Sequence, residues 1–466
     1  MAILPQESEV FMNKKSVYKR ALLLAVPMMI QNGITNMVGL IDNVMVGSLG
    51  TEEMTGVSIV GQLIFVFNLA IFGGLSGPGI YGAQFFGQGN LEGFRHSFRM
   101  KLWICLFCLL GGLAVFLVIP EQLIGLYLHG ESEMIDSVLT MQYAREYLSI
   151  MLLGLPFFAL TQVYASSLRE TGDSIKPMAA GVISVLVDVV FNYLLIYGKF
   201  GFPTLGVRGA AIATVFARVV ECAVVILWAH ARQKKHVFLQ GIYQSLAVPA
   251  PLVQKIILKG LPIFFNEFLW AGGLAVLTQC YSIRGLEIVA GLNISNAICN
   301  LLNVVFVALG SAVGILVGQT LGAREYEKAE REAFSLMWFT GGVTLIMTVI
   351  LVSISGAFPM LYDTTDEIRR YGTSFITITA LFFPVQGFLN ALYFTLRSGG
   401  KTFITFLFDS VFSWLVPVPI AFIFCKYTQL PILAVYAAVQ SADMIKLAVG
   451  YVLIRKGVWI TNIVGE

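Results

Sequence analysis

Twelve apolar stretches recur along this chain, each of about 20 residues or more, the length a helix needs to cross a roughly 30 Å hydrocarbon layer. They lie at about 21–46, 56–82, 99–120, 139–166, 178–198, 209–230, 256–281, 288–317, 334–356, 371–395, 404–425 and 432–454. Backbone N–H and C=O groups find no water inside lipid, so spanning segments are either helices or strands of a closed barrel. The alternation of period two that a barrel strand needs is missing here. The chain therefore reads as an all-α polytopic membrane protein. Composition agrees: 57% of the residues are hydrophobic and 12% charged, against about 25% charged in a soluble domain.

The spans form two copies of one pattern. A shift of 235 positions places Pro27 on Pro262, Gly50 on Gly285, Glu52 on Glu287, Gly56 on Gly291, Gln84 on Gln319 and Gly87 on Gly322. Further along, Pro156 pairs with Pro384, Leu168 and Arg169 with Leu396 and Arg397, and Asp188 with Asp409. Each copy holds six spans. An even number returns each half to the side it started from, so two six-helix lobes related by a pseudo-twofold axis along the membrane normal are expected. The domains follow: 1–16 as an N-terminal segment, 17–230 as the N-lobe, 231–251 as an interlobe linker, 252–455 as the C-lobe and 456–466 as a tail.

Basic residues set the orientation. Twenty-one of the 30 Lys and Arg fall on the side that holds both termini, Lys101 and Arg169 among them, and seven fall on the other. The positive-inside rule puts both termini, the linker and the tail in the cytoplasm of a cell whose inner membrane the chain crosses. The formal charge of +3 is then a topology signal and gives no reason to expect nucleic acid. Residues 1–20 are polar and lack a signal-peptide pattern. The glycine-containing ends at Gly87 and Gly322 are expected to cap their helices. The six Cys lie mostly within spans as small buried side chains.

Ionisable groups inside a span are costly and are functional candidates by default. Arg218 and Glu221, and likewise Asp443 and Lys446, stand three apart on one helix and can neutralise each other. Asp42, Asp188, Glu267 and Asp409 have no such neighbour. Span 1 adds Gln31, Asn32 and Asn36 to Asp42. Span 5 carries Ser184, Asp188 and Asn192 at steps of four. Carboxylates among neutral oxygens suit a cation: sodium takes several oxygen ligands, whereas a proton needs only a carboxyl group held out of water. Interhelical hydrogen bonding is the competing reading for these amides. We expect Asp42, Asp188, Asn192, Ser184 and Asn36 to bind a coupling ion, with Asp42 and Asp188 as the ligands if it is sodium. Gln31, Asn32, Glu267 and Asp409 are expected to face substrate. The second half carries Leu277 where the first has Asp42, so the lobes share a scaffold and differ in charge. Pro27 shares the span of Asp42 and is a candidate hinge, since proline removes a helix hydrogen bond.

These residues resemble a known family. The spacing of Pro27 and Asp42, the paired ends Gln84/Gly87 and Gln319/Gly322, the run from Asp188 to Gly198, and the turns at Leu168–Gly172 and Leu396–Gly400 are similar to the multidrug and toxic compound extrusion (MATE) family. The resemblance covers about 17–455. It implies cation-driven export of organic cations and amphiphilic drugs, a coupling site at Asp42 and Asp188, and no enzymatic activity or cofactor. Glu267 matches the span-7 acid of the NorM-type branch. That branch also has an acid in span 10, and 371–395 here has none; the DinF-type branch relies more on the N-lobe pair, so the chain mixes features of both.

The expected mechanism is antiport by alternating access, driven by Na+ or H+, in a monomer surrounded by lipid. A flippase for lipid-linked oligosaccharide is the alternative. It would need a cationic cavity for pyrophosphate, yet Arg218 and Lys446 are the only basic residues read within spans and not assigned to either membrane face. No His-Glu motif, Ser-Lys dyad or filter-like repeat points to an intramembrane enzyme or a channel.

Overall fold

The computed structural model describes residues 17–128 and 136–465; the segment 1–16, Lys14 and Lys15 included, lies outside them. Among the described residues twelve helices are long and apolar enough to span a membrane, and there is no strand. They are α1 (Val17–Gly47), α2 (Thr51–Gln88), α3 (Leu91–Val118), α4 (Ser137–Glu170), α5 (Ile175–Tyr197), α6 (Gly206–Ala231), α7 (Ala250–Ser282), α8 (Leu286–Gly322), α9 (Tyr326–Ile354), α10 (Asp366–Ser398), α11 (Thr402–Tyr427) and α12 (Ile432–Arg455).

Proline acts differently from helix to helix. Helices α1, α7 and α10 run unbroken through Pro27, Pro262 and Pro384. Ahead of Pro156, α4 tightens into a 3-10 turn at Leu152–Gly154. Helix α11 is irregular: a π-helical segment at Leu407–Val411 holds Asp409, and the helix restarts at Pro417. Its repeat mate α5 is regular around Asp188.

The helices form two compact units. The first comprises Ile30–Gly82 and Leu91–Gln254; the second comprises 17–29, Ala83–Asn90 and Lys255 onward. The unit boundary therefore cuts α1 within a turn of Pro27 and cuts α2 near its end. In the second unit, Ala21, Leu24, Ala25 and Met28 join a core with Leu316, Leu336, Leu392 and Trp459. Arg20 pairs with Glu332, which also accepts from Thr320 Oγ1 at 2.9 Å.

The repeated glycines do something other than cap. Gly87 and Gly322 lie inside their helices, and the left-handed residues that follow are Gly89 (φ 75°) and Arg324 (φ 62°). A methyl group at Gly87 would overlap the backbone carbonyl of Gln319, and one at Gly322 would overlap that of Gln84. Small residues let two helix backbones touch in this way. Gly87→Ala and Gly322→Ala should each cost about 1–3 kcal/mol through overpacking. Gly111, where a methyl would meet nothing within 4 Å, is the control. Thermal midpoints of the purified variants check this; equal midpoints for Gly87→Ala and Gly111→Ala would refute the close crossing.

Residues 456–465, read from the sequence as a tail, fold back on that crossing. Gln84 Nε2 donates to the carbonyls of Ser398 (2.9 Å) and Thr461 (3.1 Å), and its Oε1 accepts from Ile463 N at 2.9 Å. Asn462 Nδ2 donates to the carbonyls of Leu321 and Gly322, and Trp459 is fully buried.

The linker belongs to the first unit. Arg95, Arg99 and Trp103, at steps of four along α3, donate to the carbonyls of Phe238 (3.2 Å), Ile242 (3.1 Å) and Leu246 (3.1 Å). A cavity of about 500 Å³ beside this strap is lined by Arg95, His96, Arg99 and Gln244. His236 is buried 3.6 Å from Asp173. Burial holds its imidazole below the ordinary value, and the Asp173 carboxylate opposes this only in part while Lys235 and Arg232 add to it. The unfolded chain takes up a proton near pH 6.5 and the folded chain refuses it. Stability is therefore lost as pH falls through that value, with a slope of at most about 1.4 kcal/mol per pH unit. Thermal midpoints between about pH 5 and 8 should rise with pH in the parent and rise less steeply in His236→Gln; parallel curves would contradict the assignment.

Candidate functional site

The first unit gathers the acids of its half. Helix α5 presents Ser184, Asp188 and Asn192, all buried, at i, i+4 and i+8. Asn192 Nδ2 donates to Asp42 Oδ1 of α1 at 2.8 Å. The Asp42 and Asp188 carboxyl groups lie within hydrogen-bonding reach of each other. The Thr214 hydroxyl of α6 donates to the Ala210 carbonyl at 3.1 Å and lies near both Asp188 and Tyr147 of α4. Asp188 Oδ1 and Asn192 Oδ1 are buried and accept from no donor.

That arrangement has a chemical consequence. Two carboxylates in contact cannot both stay ionised without a positive charge, because like charges repel strongly where water is scarce. A proton shared between them, or a small cation held by their oxygens with Asn192 Oδ1 and Thr214, answers that requirement. Among the described residues no group of three or more His, Cys, Asp or Glu side chains is placed to hold a metal ion. The donors gathered here are two carboxylates and neutral oxygens.

Other expected site residues fall elsewhere. The Ser184 hydroxyl is committed to the Ala217 carbonyl of α6 at 2.9 Å. Asn36 is exposed: it stands six residues from Asp42, about 240° of helix rotation, on a different face. Gln31 accepts from Arg169 Nη2 at 2.8 Å, and its side chain packs on Gly181. Asn32 is half-buried on the same helix.

In the second unit Asp409 is not an unpaired acid. Lys446 Nζ of α12 donates to its Oδ1 at 2.7 Å, and Asn266 Nδ2 of α7 to its Oδ2 at 3.1 Å. Asn266 also accepts from Ser410 Oγ at 2.6 Å. Lys446 therefore serves Asp409 on a neighbouring helix; Asp443, read as its partner, accepts instead from Gln386. The long lysine stem reaches across to α11. Glu267 interacts with the charges of Arg397 and Asp409. Lys101 and Arg169, counted as interface charges, are also drawn inward: Lys101 is completely buried against Glu170.

Sequence reasoning missed Thr214, Tyr147 and Asn266. Asn266 was within reach, because the shift of 235 sets it on Gln31. Thr214 and Tyr147 gave no such signal, since an isolated hydroxyl in a span is common.

Comparison with known proteins agrees with this architecture. The MatE family model matches residues 27–194 and 262–423, one copy on each half. The chain is 25% identical over 455 residues to the probable multidrug resistance protein NorM of Thermotoga maritima, covering 95% of this chain and 93% of that protein. It is 27% identical over 447 residues to the probable multidrug resistance protein YoeA of Bacillus subtilis, covering 94% of each. Among solved structures, an outward-facing multidrug resistance MATE family transporter of the MOP superfamily superposes with a TM-score of 0.83 at 20% identity, over 95% of this chain and 96% of that one. A MOP superfamily transporter from Pyrococcus furiosus gives 0.81, with the same identity and coverage. With the family model covering both halves, the chain belongs to the MATE family.

Proposed function

We propose that this protein is a cation-coupled antiporter that exports organic cations and amphiphilic drugs across the cell membrane, with both termini in the cytoplasm. The observation that carries the reading is the contact between Asp42 and Asp188, beside two buried acceptor oxygens that receive no hydrogen bond. The relatives NorM and YoeA are probable multidrug resistance proteins, which supports drugs as the cargo.

The coupling follows from population shift. An ion moves the balance between two conformations only by as much as it binds one more tightly. The carboxyl pair is strained when both acids are charged and relaxed once an H+ or Na+ is bound, so ion occupancy alters the energy of whatever packing holds α1 against α5. Pro27 is the hinge in this scheme, because the division of the chain into compact units falls within a turn of it. Drug leaves as the ion enters.

Ethidium efflux from membrane vesicles, driven in turn by a sodium gradient alone and a pH gradient alone, tests the proposal. One gradient should accelerate efflux and its collapse should stop it. Efflux indifferent to both gradients would overturn the coupling.

A further inference from the structure

The first unit holds a half-buried arginine, Arg218, near its carboxyl pair. Helices α5 and α6 touch where Ser184 donates to the Ala217 carbonyl at 2.9 Å. One turn along α5 from that contact is Asp188. One turn along α6 in the matching direction is Thr214, which lies near Asp188. Arg218, next to Ala217, is therefore rooted one turn from the carboxyl pair. Its side chain passes Gly154, with Cδ 3.1 Å from where a Cβ would sit, and its guanidinium lies 5.3 Å over the Phe158 ring. Its Nη1 is buried and donates to no acceptor. Among the described residues no acceptor or ion-pair partner holds this guanidinium, which rests on the Phe158 ring alone, and the groups it faces are the Tyr147 phenol on α4, Glu221 on its own helix and Asp188 on α5. Glu221 is also faced by Arg169, itself held by Gln31.

The second unit contains the closed form of the same arrangement. There the sixth helix of the half supplies Lys446, bonded at 2.7 Å to Asp409, the repeat mate of Asp188. Leu277 replaces Asp42, so that half has one carboxylate and one fixed lysine at this level. The first half has two carboxylates and one arginine that is not bonded to either.

We propose that Arg218 is a tethered cation that exchanges with the coupling ion at the carboxyl pair. With the ion bound, the guanidinium stays beside Glu221. When the ion leaves, it moves to Asp188, as Lys446 already sits on Asp409, and lets the ion-free carrier return. The inference rests on the coupling site proposed above. Charge balance adds a consequence: Asp42, Asp188 and Glu221 against Arg218 and Arg169 leave one negative charge, so one monovalent ion neutralises the set in each cycle.

The test uses the whole protein in vesicles, with ethidium and whichever of the Na+ or H+ gradients drives the parent. The ion concentration for half-maximal drive and the maximal rate are measured for the parent, Arg218→Gln and Arg218→Lys, each first shown by size-exclusion chromatography to be monodisperse. Loss of the competing charge in Arg218→Gln should lower the half-maximal ion concentration at least tenfold and the maximal rate at least tenfold. Arg218→Lys should restore both most of the way. An unchanged half-maximal concentration in Arg218→Gln overturns the proposal, whether or not the rate falls, because a merely structural arginine would move only the rate. A Gln variant too unstable to purify, with a Lys variant that is stable yet needs at least tenfold less or more ion than the parent, overturns it as well; parent-like ion dependence in the Lys variant supports it. Efflux in the parent that responds to neither gradient is the separate failure of the coupling reading, and takes this inference with it.

Discussion

Asp42→Asn should abolish gradient-driven ethidium efflux while the protein remains folded in the membrane. The carboxylate supplies one of the two charges that face each other in the first unit, and Asn192 already donates to it at 2.8 Å. An amide keeps the shape, and its oxygen can still accept that bond, but the negative charge that attracts an ion is gone. Removing one partner from a buried charged contact weakens binding by about 2–5 kcal/mol, roughly 30-fold to more than 1000-fold. Drive at physiological ion concentrations would then disappear. Stability should move little or rise, because the substitution relieves a like-charge contact. Asp188→Asn should behave likewise. Parent-like efflux in either variant, at equal membrane content, would remove that residue from coupling.

The largest stability effect is expected at Lys101. Its side chain is fully buried, with Nζ bonded to Glu170 Oε1 at 2.6 Å, Ser167 Oγ at 2.9 Å and Ser166 Oγ at 3.2 Å. Glu170 in turn lies against Gly79 and Gly82 of α2, so the pair joins α2, α3 and α4. Lys101→Met strands a carboxylate away from water and should destabilise by about 3–5 kcal/mol. Glu170→Gln strands the ammonium and should cost a similar amount. Replacing both together, Lys101→Met with Glu170→Gln, removes the uncompensated charge and should recover much of the loss, since a buried ion pair is worth little against a neutral pair of similar volume. Thermal midpoints of the two single variants and the double variant form the cycle. A double variant as unstable as the summed singles would show that the residues do not act as a pair.

The two predictions separate the intramembrane charges by their surroundings. Lys101 and Glu170 satisfy each other and hold helices together. Asp42 and Asp188 do not, and an acceptor oxygen on Asp188 and another on Asn192 lack donors. Arg218 stands between these cases. From the sequence alone Arg218 and Glu221 form a tidy i, i+3 pair, and Asp443 and Lys446 look like its mirror image. Spacing along one helix reveals only the partners that same helix supplies. Lys446 instead bonds across to Asp409, and Asn36 turns away from the Asp42 it was grouped with.

Span number, helical class and the internal repeat were decided by the sequence, because each depends on local quantities: the length of an apolar run and the recurrence of proline, glycine and acid at fixed steps. The candidate acids were legible for the same reason, since a charge in a span stands out wherever it lies. Their partners were decided by the tertiary structure. Whether an acid meets a lysine, a second acid or an arginine that bonds to neither depends on how neighbouring helices are rotated and where they touch. The Ser184–Ala217 contact, the touching backbones at Gly87 and Gly322, and the strap from Trp459 to Ile463 follow from that packing, which no single segment encodes.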